Sequence, residues 1–561
     1  MSHQKYAPAA PYTISEREWP NNRITGSPQW CAVDLRDGNQ ALPNPMTPSQ
    51  KHRYFELLTE IGFKQIEIGF PSASNDDFTF CREVIENDRI PQDVTISVLT
   101  QAREHLIART FEALKGVKKA VIHLYIATSD LHMEYVFGKD KKETKETALN
   151  AVKQIRETAQ QQMPEADIGL QFSPEEFTDS NLDFVVDLCE AVVDTWKPEE
   201  NEKVVLNLPA TVERRPPNEY ADMIEEFIRR YDRTDQSIIS VHAHNDMGTA
   251  VAASELTLMA GAERVEGTLL GHGERSGNVD LLTLALNLQY MGVDTGLDFT
   301  NVMDVADELV ELTGMPIHPR APYVGELVFT AFAGSHQDAV NKGIQRRDEL
   351  TEKFGGWKLP YIHIAPQDLG RSFDKFVRIN SQSGKGGIAH VLHTDYGLRI
   401  PRSLLADLSR HVQQYADQAA REVESKEVWD VLNDVYVRLE DPIKLLNYWP
   451  RPNKDDPAQI EGEVHVEYKG ETYQLQGTGT GPIAAFVKAL RHLPLPEFSL
   501  AEYEEDAIGR SAEAEAICYV AMEDQDKNSE FGIGVGPNID QAAVRAIVSS
   551  LNRLFEDRLR G

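Results

Sequence analysis

The sequence is poor in cysteine and has no long apolar run. Its 561 residues include four cysteines (Cys31, Cys81, Cys189 and Cys518), which lie far apart and form no C-x-x-C pair. Neither a disulfide framework nor a cysteine-built zinc site is expected, and a reducing compartment fits. No apolar stretch reaches the roughly 18 residues that a membrane span needs, and the N-terminus has no apolar signal region. We expect a cytoplasmic protein with no membrane partner.

Basic residues are also in deficit. The 57 Lys and Arg face 89 Asp and Glu, so the formal net charge is −32. A field of this sign repels nucleic acids and anionic lipid surfaces, and no nucleic-acid partner is expected. The apolar share of 41% and the charged share of 26% are those of an ordinary globular protein.

What the sequence does have is a repeated alternation of apolar β-branched runs with amphipathic segments between about residues 30 and 290. Eight such units in about 260 residues match a (β/α)8 TIM barrel in count and size. An open doubly wound sheet is the alternative, but no G-x-G-x-x-G follows the first strand. The eight predicted strands are Trp30–Leu35, Gln65–Phe70, Val94–Leu99, Ala120–Ala127, Asp167–Phe172, Lys203–Leu208, Ile238–Val241 and Arg264–Leu269.

Beyond the barrel the pattern changes twice. The predicted domains are an N-terminal extension (1–29), the barrel (30–295), a mostly helical linker region that completes the active site (296–447) and a C-terminal α+β domain (448–561). The stretch Tyr448–Asp456 is interpreted as a proline-rich linker. A weak repeat follows, in which two ββα-like units each enter their helix through a glycine-rich turn, at Gly479–Pro482 and Gly534–Pro537.

Three polar motifs follow strands seven, one and eight, which are neighbours in a closed barrel. They are His242-Ala243-His244, Arg36-Asp37-Gly38, and the glycine-rich loop Gly271–Asn278. Taken singly, each has an ordinary interpretation as a turn or a hydrogen-bonded histidine pair. Reactive groups of such barrels lie at the carboxyl ends of the strands, so the coincidence predicts one site.

The residue types in these motifs suit a divalent cation. Asp37, His242 and His244, with a neutral oxygen such as the Asn278 amide, would offer two nitrogens and two oxygens to Zn²⁺, Mn²⁺ or Mg²⁺. A site with a single anionic ligand stays net positive and attracts an anionic chelator such as a 2-oxo acid. Arg36 could then stabilise charge on a reacting oxygen.

These motifs resemble those of the 2-isopropylmalate synthase and homocitrate synthase family. The resemblance rests on Leu35–Gln40, on His242–Gly248 and on the Gly-x-Gly-Glu-Arg-x-Gly-Asn loop, and is closest to the long-form isopropylmalate synthases. It implies a Claisen-type condensation of acetyl-CoA with 3-methyl-2-oxobutanoate, which yields 2-isopropylmalate and CoA in leucine biosynthesis. It implies a divalent metal cofactor, acetyl-CoA as co-substrate, a homodimer, and leaves room for a monovalent cation such as K⁺.

The resemblance also implies roles for individual residues. Arg36, Glu175 and His336 are the implied catalytic residues, with His336 reaching the barrel mouth from the following domain or a partner subunit. The implied metal ligands are Asp37, His242, His244 and Asn278. The implied oxo-acid pocket comprises Arg36, His123, Ser173, Asn207 and Thr211, and the acetyl-CoA side comprises Gly273, Glu274 and Arg275.

The C-terminal repeat resembles the leucine-sensing domain of the long-form enzymes. Its implied leucine contacts are Gly479, Gly481, Ile483, Ala484, Tyr503, Ala507 and Ala514. The physical support is that two helix N-termini present free N–H groups, which favour a carboxylate. Two residues depart from the family pattern: His272 stands where many members have Asn, and Phe373 where some have Tyr.

Three other functions fit the sequence in part. Amidohydrolase barrels also use His-x-His, but they place it after strand one, whereas here it follows strand seven. A non-enzymatic amino-acid sensor would leave the barrel-mouth residues unexplained. Homocitrate and citramalate synthases share the metal and the chemistry, and no residue pattern fixes the size of the oxo-acid side-chain pocket.

Overall fold

The computed structural model describes residues 12–371, 379, 385–419, 421–437, 441–508 and 515–556. The chain forms two compact units, one up to Val328 with Gln367–Arg371, and one comprising Phe329–Pro366 with Ser372–Gly561. Among the described residues, no helix combines the length and apolarity needed to cross a bilayer.

The first unit is a closed barrel of eight parallel strands, as predicted. Strand β8 pairs with β1, with Trp30 opposite Val265, and so closes the sheet. The strands are β1 (Gln29–Ala32), β2 (Gln65–Glu67), β3 (Thr95–Gln101), β4 (Lys119–Ala127), β5 (Asp167–Glu175), β6 (Val204–Ala210), β7 (Ser237–Ala243) and β8 (Arg264–Gly267).

Amphipathic helices surround the barrel. In α1, Thr47 and Gln50 form a reciprocal capping box at the start, Gly62 ends the helix with φ +115°, and the inner face buries Tyr54 and Leu58. The helices of this unit are α1 (Pro48–Ile61), α2 (Asn75–Glu86), α3 (Glu104–Leu114), α4 (Lys141–Gln162), α5 (Leu182–Trp196), α6 (Pro217–Arg230), α7 (Ala250–Met259), α8 (Leu281–Tyr290) and α9 (Val302–Thr313).

The second unit begins with helices and ends with two small sheets. Its helices before the sheets are α10 (Gly334–Gln345), α11 (Arg347–Phe354), α12 (Lys385–Tyr396), α13 (Arg402–Ala419) and α14 (Ser425–Leu432). The first sheet contains β9 (Ile443–Pro452), β10 (Ile460–Tyr468) and β11 (Glu471–Gly479), followed by α15 (Pro482–Leu490). The second contains β12 (Phe498–Ile508), β13 (Glu515–Asp524) and β14 (Ser529–Gly536), followed by α16 (Ile539–Leu554).

The structure overturns one sequence interpretation of the C-terminal region, the linker, and adds a strand to each predicted repeat. Most of the supposed linker Tyr448–Asp456 lies in β9, an edge strand whose unpaired side tolerates Pro450 and Pro452 because no ladder hydrogen bond is needed there. Each repeat also contains one strand more than predicted, because β9 precedes β10 and β11 in the first repeat and β12 precedes β13 and β14 in the second. The repeat itself is confirmed.

Glycines bring a strand and a helix unusually close in both repeats. A β-carbon added to Gly477 would lie 2.3 Å from the Ala485 carbonyl oxygen, and one added to Gly534 would lie 2.0 Å from that of Ala542. Both obstacles are helix backbone, which cannot rotate away. The glycine-rich segments therefore have a packing role in addition to any role in ligand binding.

Gly534→Ala is expected to lower the thermal denaturation midpoint, because overpacking against fixed backbone costs about 1–3 kcal/mol. Gly356→Ala is the matched control, since nothing lies within 4 Å of its added methyl group. Differential scanning calorimetry of both variants tests this, and equal midpoints would contradict the packing role.

Candidate active site at the barrel mouth

Three side chains from neighbouring barrel segments converge at the carboxyl ends of the strands. Asp37 belongs to a short π-helical segment, Asp34–Gly38, that follows β1, whereas His242 lies in β7 and His244 follows it. The Asp37 Oδ2 atom is 3.3 Å from His242 Nε2 and 3.8 Å from His244 Nε2. All three residues are buried, and one ligand atom from each lies within 4.8 Å of the others.

The donor set fits a divalent cation. One carboxylate oxygen and two imidazole nitrogens are ligands of Zn²⁺, Mn²⁺ and similar ions. Beside them the Asn278 amide donates to Asp37 Oδ2 at 3.0 Å, and its own oxygen is buried with no hydrogen-bond partner among the described residues. Such an orphaned polar atom next to a carboxylate and two imidazoles indicates a place for a further polar ligand.

The pKa values of the two histidines differ because their surroundings differ. Burial lowers the pKa of His242, but hydrogen bonds to Asp37 and Glu266 outweigh burial and raise it to about 9. Burial lowers the pKa of His244 to about 4, with a further contribution from His242. Burial would raise the pKa of Asp37, yet Arg36 and His242 hold it well below its usual range. The cluster thus favours positive charge beside Asp37.

A second chain of contacts begins at Arg36. Its guanidinium lies 3.1 Å from Asp37 Oδ1 and also pairs with the buried Glu67 of β2. Glu67 accepts from His123 Nδ1 at 2.6 Å, and His123 Nε2 lies 2.7 Å from Ser173 Oγ. The contacts with Asp37 and Glu67 hold the Arg36 guanidinium beside the proposed metal ligands and restrict its side chain.

A cavity of about 410 Å³ opens above these residues. Its floor includes Asp37, His242 and His244, and Glu175 lies at its side. Burial raises the pKa of Glu175. The cavity therefore combines a cation-binding floor, a guanidinium and a carboxyl group with raised pKa, which together suit proton abstraction next to a polarised carbonyl group.

Comparison with known proteins agrees with this geometry. The HMGL-like family profile matches residues 27–309, the alpha-isopropylmalate synthase post-catalytic domain-like profile residues 326–393, and the LeuA allosteric (dimerisation) domain profile residues 422–555. The 2-isopropylmalate synthase of Rhodospirillum rubrum is 45% identical over 99% of this chain and 99% of its own. That of Paraburkholderia phytofirmans is 47% identical over 98% and 94%, and that of Clostridium acetobutylicum 42% identical over 99% and 99%.

The chain belongs to the 2-isopropylmalate synthase family. The structure brings most of the site residues expected of this family into one place. Eleven of them line the cavity: Arg36, Asp37, His123, Ser173, Glu175, Asn207, Thr211, His242, His244, Glu274 and Arg275.

Other expected residues lie elsewhere. Gly273 packs against Asn278, and a β-carbon added to it would lie 2.3 Å from Asn278 Nδ2. His336 is exposed in α10, in the second unit, where its ring stacks on Tyr361 with centroids 4.0 Å apart. His272, which stands where many family members have Asn, accepts a hydrogen bond from Asn278 Nδ2 at 3.0 Å through its backbone carbonyl. Because this contact uses the backbone, it does not depend on the side chain at position 272. Phe373 lies outside the described residues.

The expected leucine contacts fall into two groups, one in each βββα repeat. The first group is Gly479 at the end of β11, Gly481 before α15, and Ile483 and Ala484 in its first turn. The second is Tyr503 and Ala507 on β12, whereas Ala514 lies outside the described residues. Gly479 also permits close packing, because an added β-carbon would lie 2.6 Å from Ala485 N.

Sequence reasoning missed two carboxylates of this family member, Glu67 and Glu266. Both are fully buried, Glu67 in β2 and Glu266 in β8. The signal in the sequence was an acidic residue inside a strand predicted to be buried. A buried carboxylate needs a charged or hydrogen-bonding partner, so such a residue indicates a polar cluster.

Gly273→Ala is expected to weaken the affinity for Mn²⁺ about tenfold or more, as changes to the supports of metal ligands do. The added methyl group would displace Asn278, which hydrogen-bonds Asp37. Isothermal titration with Mn²⁺ measures the effect, with Gly26→Ala as the control because its methyl group meets nothing within 4 Å. Equal affinities for both variants would contradict the link from Gly273 to the cluster.

Proposed function

We propose that this chain condenses acetyl-CoA with 3-methyl-2-oxobutanoate and water to give 2-isopropylmalate and CoA, the first committed step of leucine biosynthesis. The observation that carries the proposal is the meeting of Asp37, His242 and His244 with Arg36 on the floor of one cavity. Family membership supports the same reaction, and the curated relatives match along almost the whole chain.

Asp37, His242 and His244, with Asn278 beside them, would hold the divalent cation. When bound, this Lewis acid would polarise the ketone of the oxo acid. Arg36 stabilises negative charge on the former ketone oxygen, and its contacts with Asp37 and Glu67 hold it ready for that task. The proposal includes Mg²⁺, Mn²⁺ or Zn²⁺ as the divalent cation and a monovalent cation such as K⁺.

The condensation needs a base for the methyl proton of the acetyl group. Glu175 is the first candidate, because it lines the cavity and burial raises its pKa, which makes the carboxylate a stronger base. His336 is the second candidate, as an exposed imidazole of the second unit. After the carbon–carbon bond forms, water hydrolyses the thioester and makes the sequence of steps irreversible.

The remaining cavity residues divide between the two substrates in this proposal. His123, Ser173, Asn207 and Thr211 surround the oxo acid. Glu274 and Arg275 face acetyl-CoA, together with Gly273, which adjoins them in the chain without lining the cavity. Arg275 is fixed by Asp246 at 2.6 Å and by the Thr211 carbonyl at 2.7 Å, and Glu274 accepts from Gln40 at 3.0 Å.

Thiol release from acetyl-CoA should be fastest with 3-methyl-2-oxobutanoate, because the relatives that match almost the whole chain are 2-isopropylmalate synthases. The assay compares this acid with pyruvate and 2-oxoglutarate by their kcat/KM values. A preference for pyruvate would indicate a citramalate synthase, and a preference for 2-oxoglutarate a homocitrate synthase. Either result would replace the proposed substrate while leaving the metal-assisted chemistry in place.

We further propose a cytoplasmic homodimer that leucine inhibits through the C-terminal repeats. The match to an allosteric dimerisation domain supports both the dimer and the regulation. The first turn of α15 offers free N–H groups for the leucine carboxylate. Inhibition then requires leucine to bind a less active state more tightly. The cytoplasmic location is supported by the four cysteines, which are all unpaired and buried.

Ala507→Trp is expected to raise the half-inhibitory concentration of leucine about tenfold or more, a change within the usual range of allosteric coupling. Ala501→Trp is the matched control, since Ala501 is also exposed on β12 but is not among the expected leucine contacts. The test compares the half-inhibitory leucine concentrations of the two variants with that of the wild type. Unchanged inhibition of Ala507→Trp would remove β12 from the leucine site.

A further inference from the structure

Glu266 is a fully buried carboxylate in β8 that lies beneath the proposed metal site and does not line the cavity. Four hydrogen-bond donors converge on it, two on each oxygen. Oε1 accepts from Gln171 Nε2 at 2.6 Å and from Arg264 at 2.7 Å. Oε2 accepts from His242 Nδ1 at 3.1 Å and from Asn207 Nδ2 at 3.0 Å. Oε1 thus binds donors of the barrel interior, whereas Oε2 binds donors of the candidate active site.

This arrangement determines which nitrogen of His242 carries a hydrogen. An ionised carboxylate only accepts, so His242 must present Nδ1–H to Glu266. In the neutral ring, Nε2 then carries the lone pair, and Nε2 is the atom that faces Asp37 at 3.3 Å. A metal ligand needs that lone pair, and a carboxylate behind a ligating histidine commonly fixes its orientation.

The same oxygen fixes the orientation of Asn207. The amide nitrogen donates to Glu266 and to Ser173 Oγ at 3.1 Å, so both hydrogens are used. The reversed amide would place its oxygen against a carboxylate oxygen, which is repulsive. The Asn207 oxygen is left buried without a partner among the described residues, and it cannot donate to a substrate carboxylate.

We propose that Glu266 is a positioning residue that sets the tautomer of His242 for cation binding and aligns Ser173 through Asn207. This inference rests on the metal site of the proposed function. It assigns Asn207 a supporting task beneath the oxo acid instead of a direct hydrogen bond to it.

Glu266→Gln tests the proposal because glutamine has one oxygen where four donors converge. The positive charge of Arg264 draws that oxygen to the interior side and leaves the NH₂ group facing His242. The ring must then accept at Nδ1 and carry its hydrogen on Nε2, which removes the lone pair from the ligand position. The affinity for Mn²⁺, measured by isothermal titration on the full chain, is expected to fall about 10–100-fold.

Arg264→Gln is the matched control. It also breaks the Arg264–Glu266 ion pair, but it leaves the contact between Glu266 and His242 in place. We expect a much smaller loss of Mn²⁺ affinity for this variant, with both variants compared by circular dichroism for their folding. A loss as large as that of Glu266→Gln would overturn the proposal, because the effect would then come from the ion pair.

Glu266→Asp provides the test if Glu266→Gln does not fold. It keeps the negative charge beside Arg264 but withdraws the oxygens by one methylene from His242, so weaker Mn²⁺ binding is again expected. Wild-type Mn²⁺ affinity in the folded Glu266 variant would overturn this inference alone. A wild-type chain that binds no Mn²⁺ would overturn the metal site of the proposed function as well.

Discussion

The site depends on an excess of buried negative charge at one end of an apolar barrel. Three buried carboxylates, Asp37, Glu67 and Glu266, face two guanidinium groups, those of Arg36 and Arg264. Isolated charges are costly inside a protein, so each carboxylate is held by several donors. The three carboxylates exceed the two guanidinium groups by one negative charge. Either a proton on His242 or a metal cation beside Asp37 can neutralise this charge.

The barrel explains why these groups meet although they are far apart in sequence. Parallel strands place their carboxyl ends on one rim, and closure of β8 onto β1 makes the loops after β7, β8 and β1 neighbours. The alternation of side chains along a strand also matters. It directs Glu266 inward at the level below the cavity, where it contacts His242 on the adjacent strand.

Much of the fold and of the site could be predicted from the sequence. The eight strands were recognisable because apolar β-branched runs alternate with amphipathic helices. Their ends were less certain: β5 continues to Glu175 and β7 to Ala243, because the apolar signal fades where site residues begin. The strand β9 was missed for a related reason, since Pro450 and Pro452 resemble a linker unless the strand is known to lie at an edge.

The supporting carboxylates could not be placed in the same way. Glu67 and Glu266 are each the one acidic residue of a short barrel strand, and the sequence does not reveal which side chains they meet. Their partners, His123 and His242, lie on other strands, and the contacts depend on the stagger of the closed sheet. Sequence motifs identify the residues that face the substrate. The supporting residues beneath them, such as Glu67 and Glu266, can be assigned only when the register of the strands is known.

The most direct test of the account is a crystal structure of the chain grown with Mn²⁺ and 3-methyl-2-oxobutanoate, with anomalous data collected to locate manganese. The account predicts one strong peak within coordination distance of Asp37, His242 and His244, with the oxo acid beside Arg36. A peak at other residues, or none near these three side chains at saturating Mn²⁺, would contradict it.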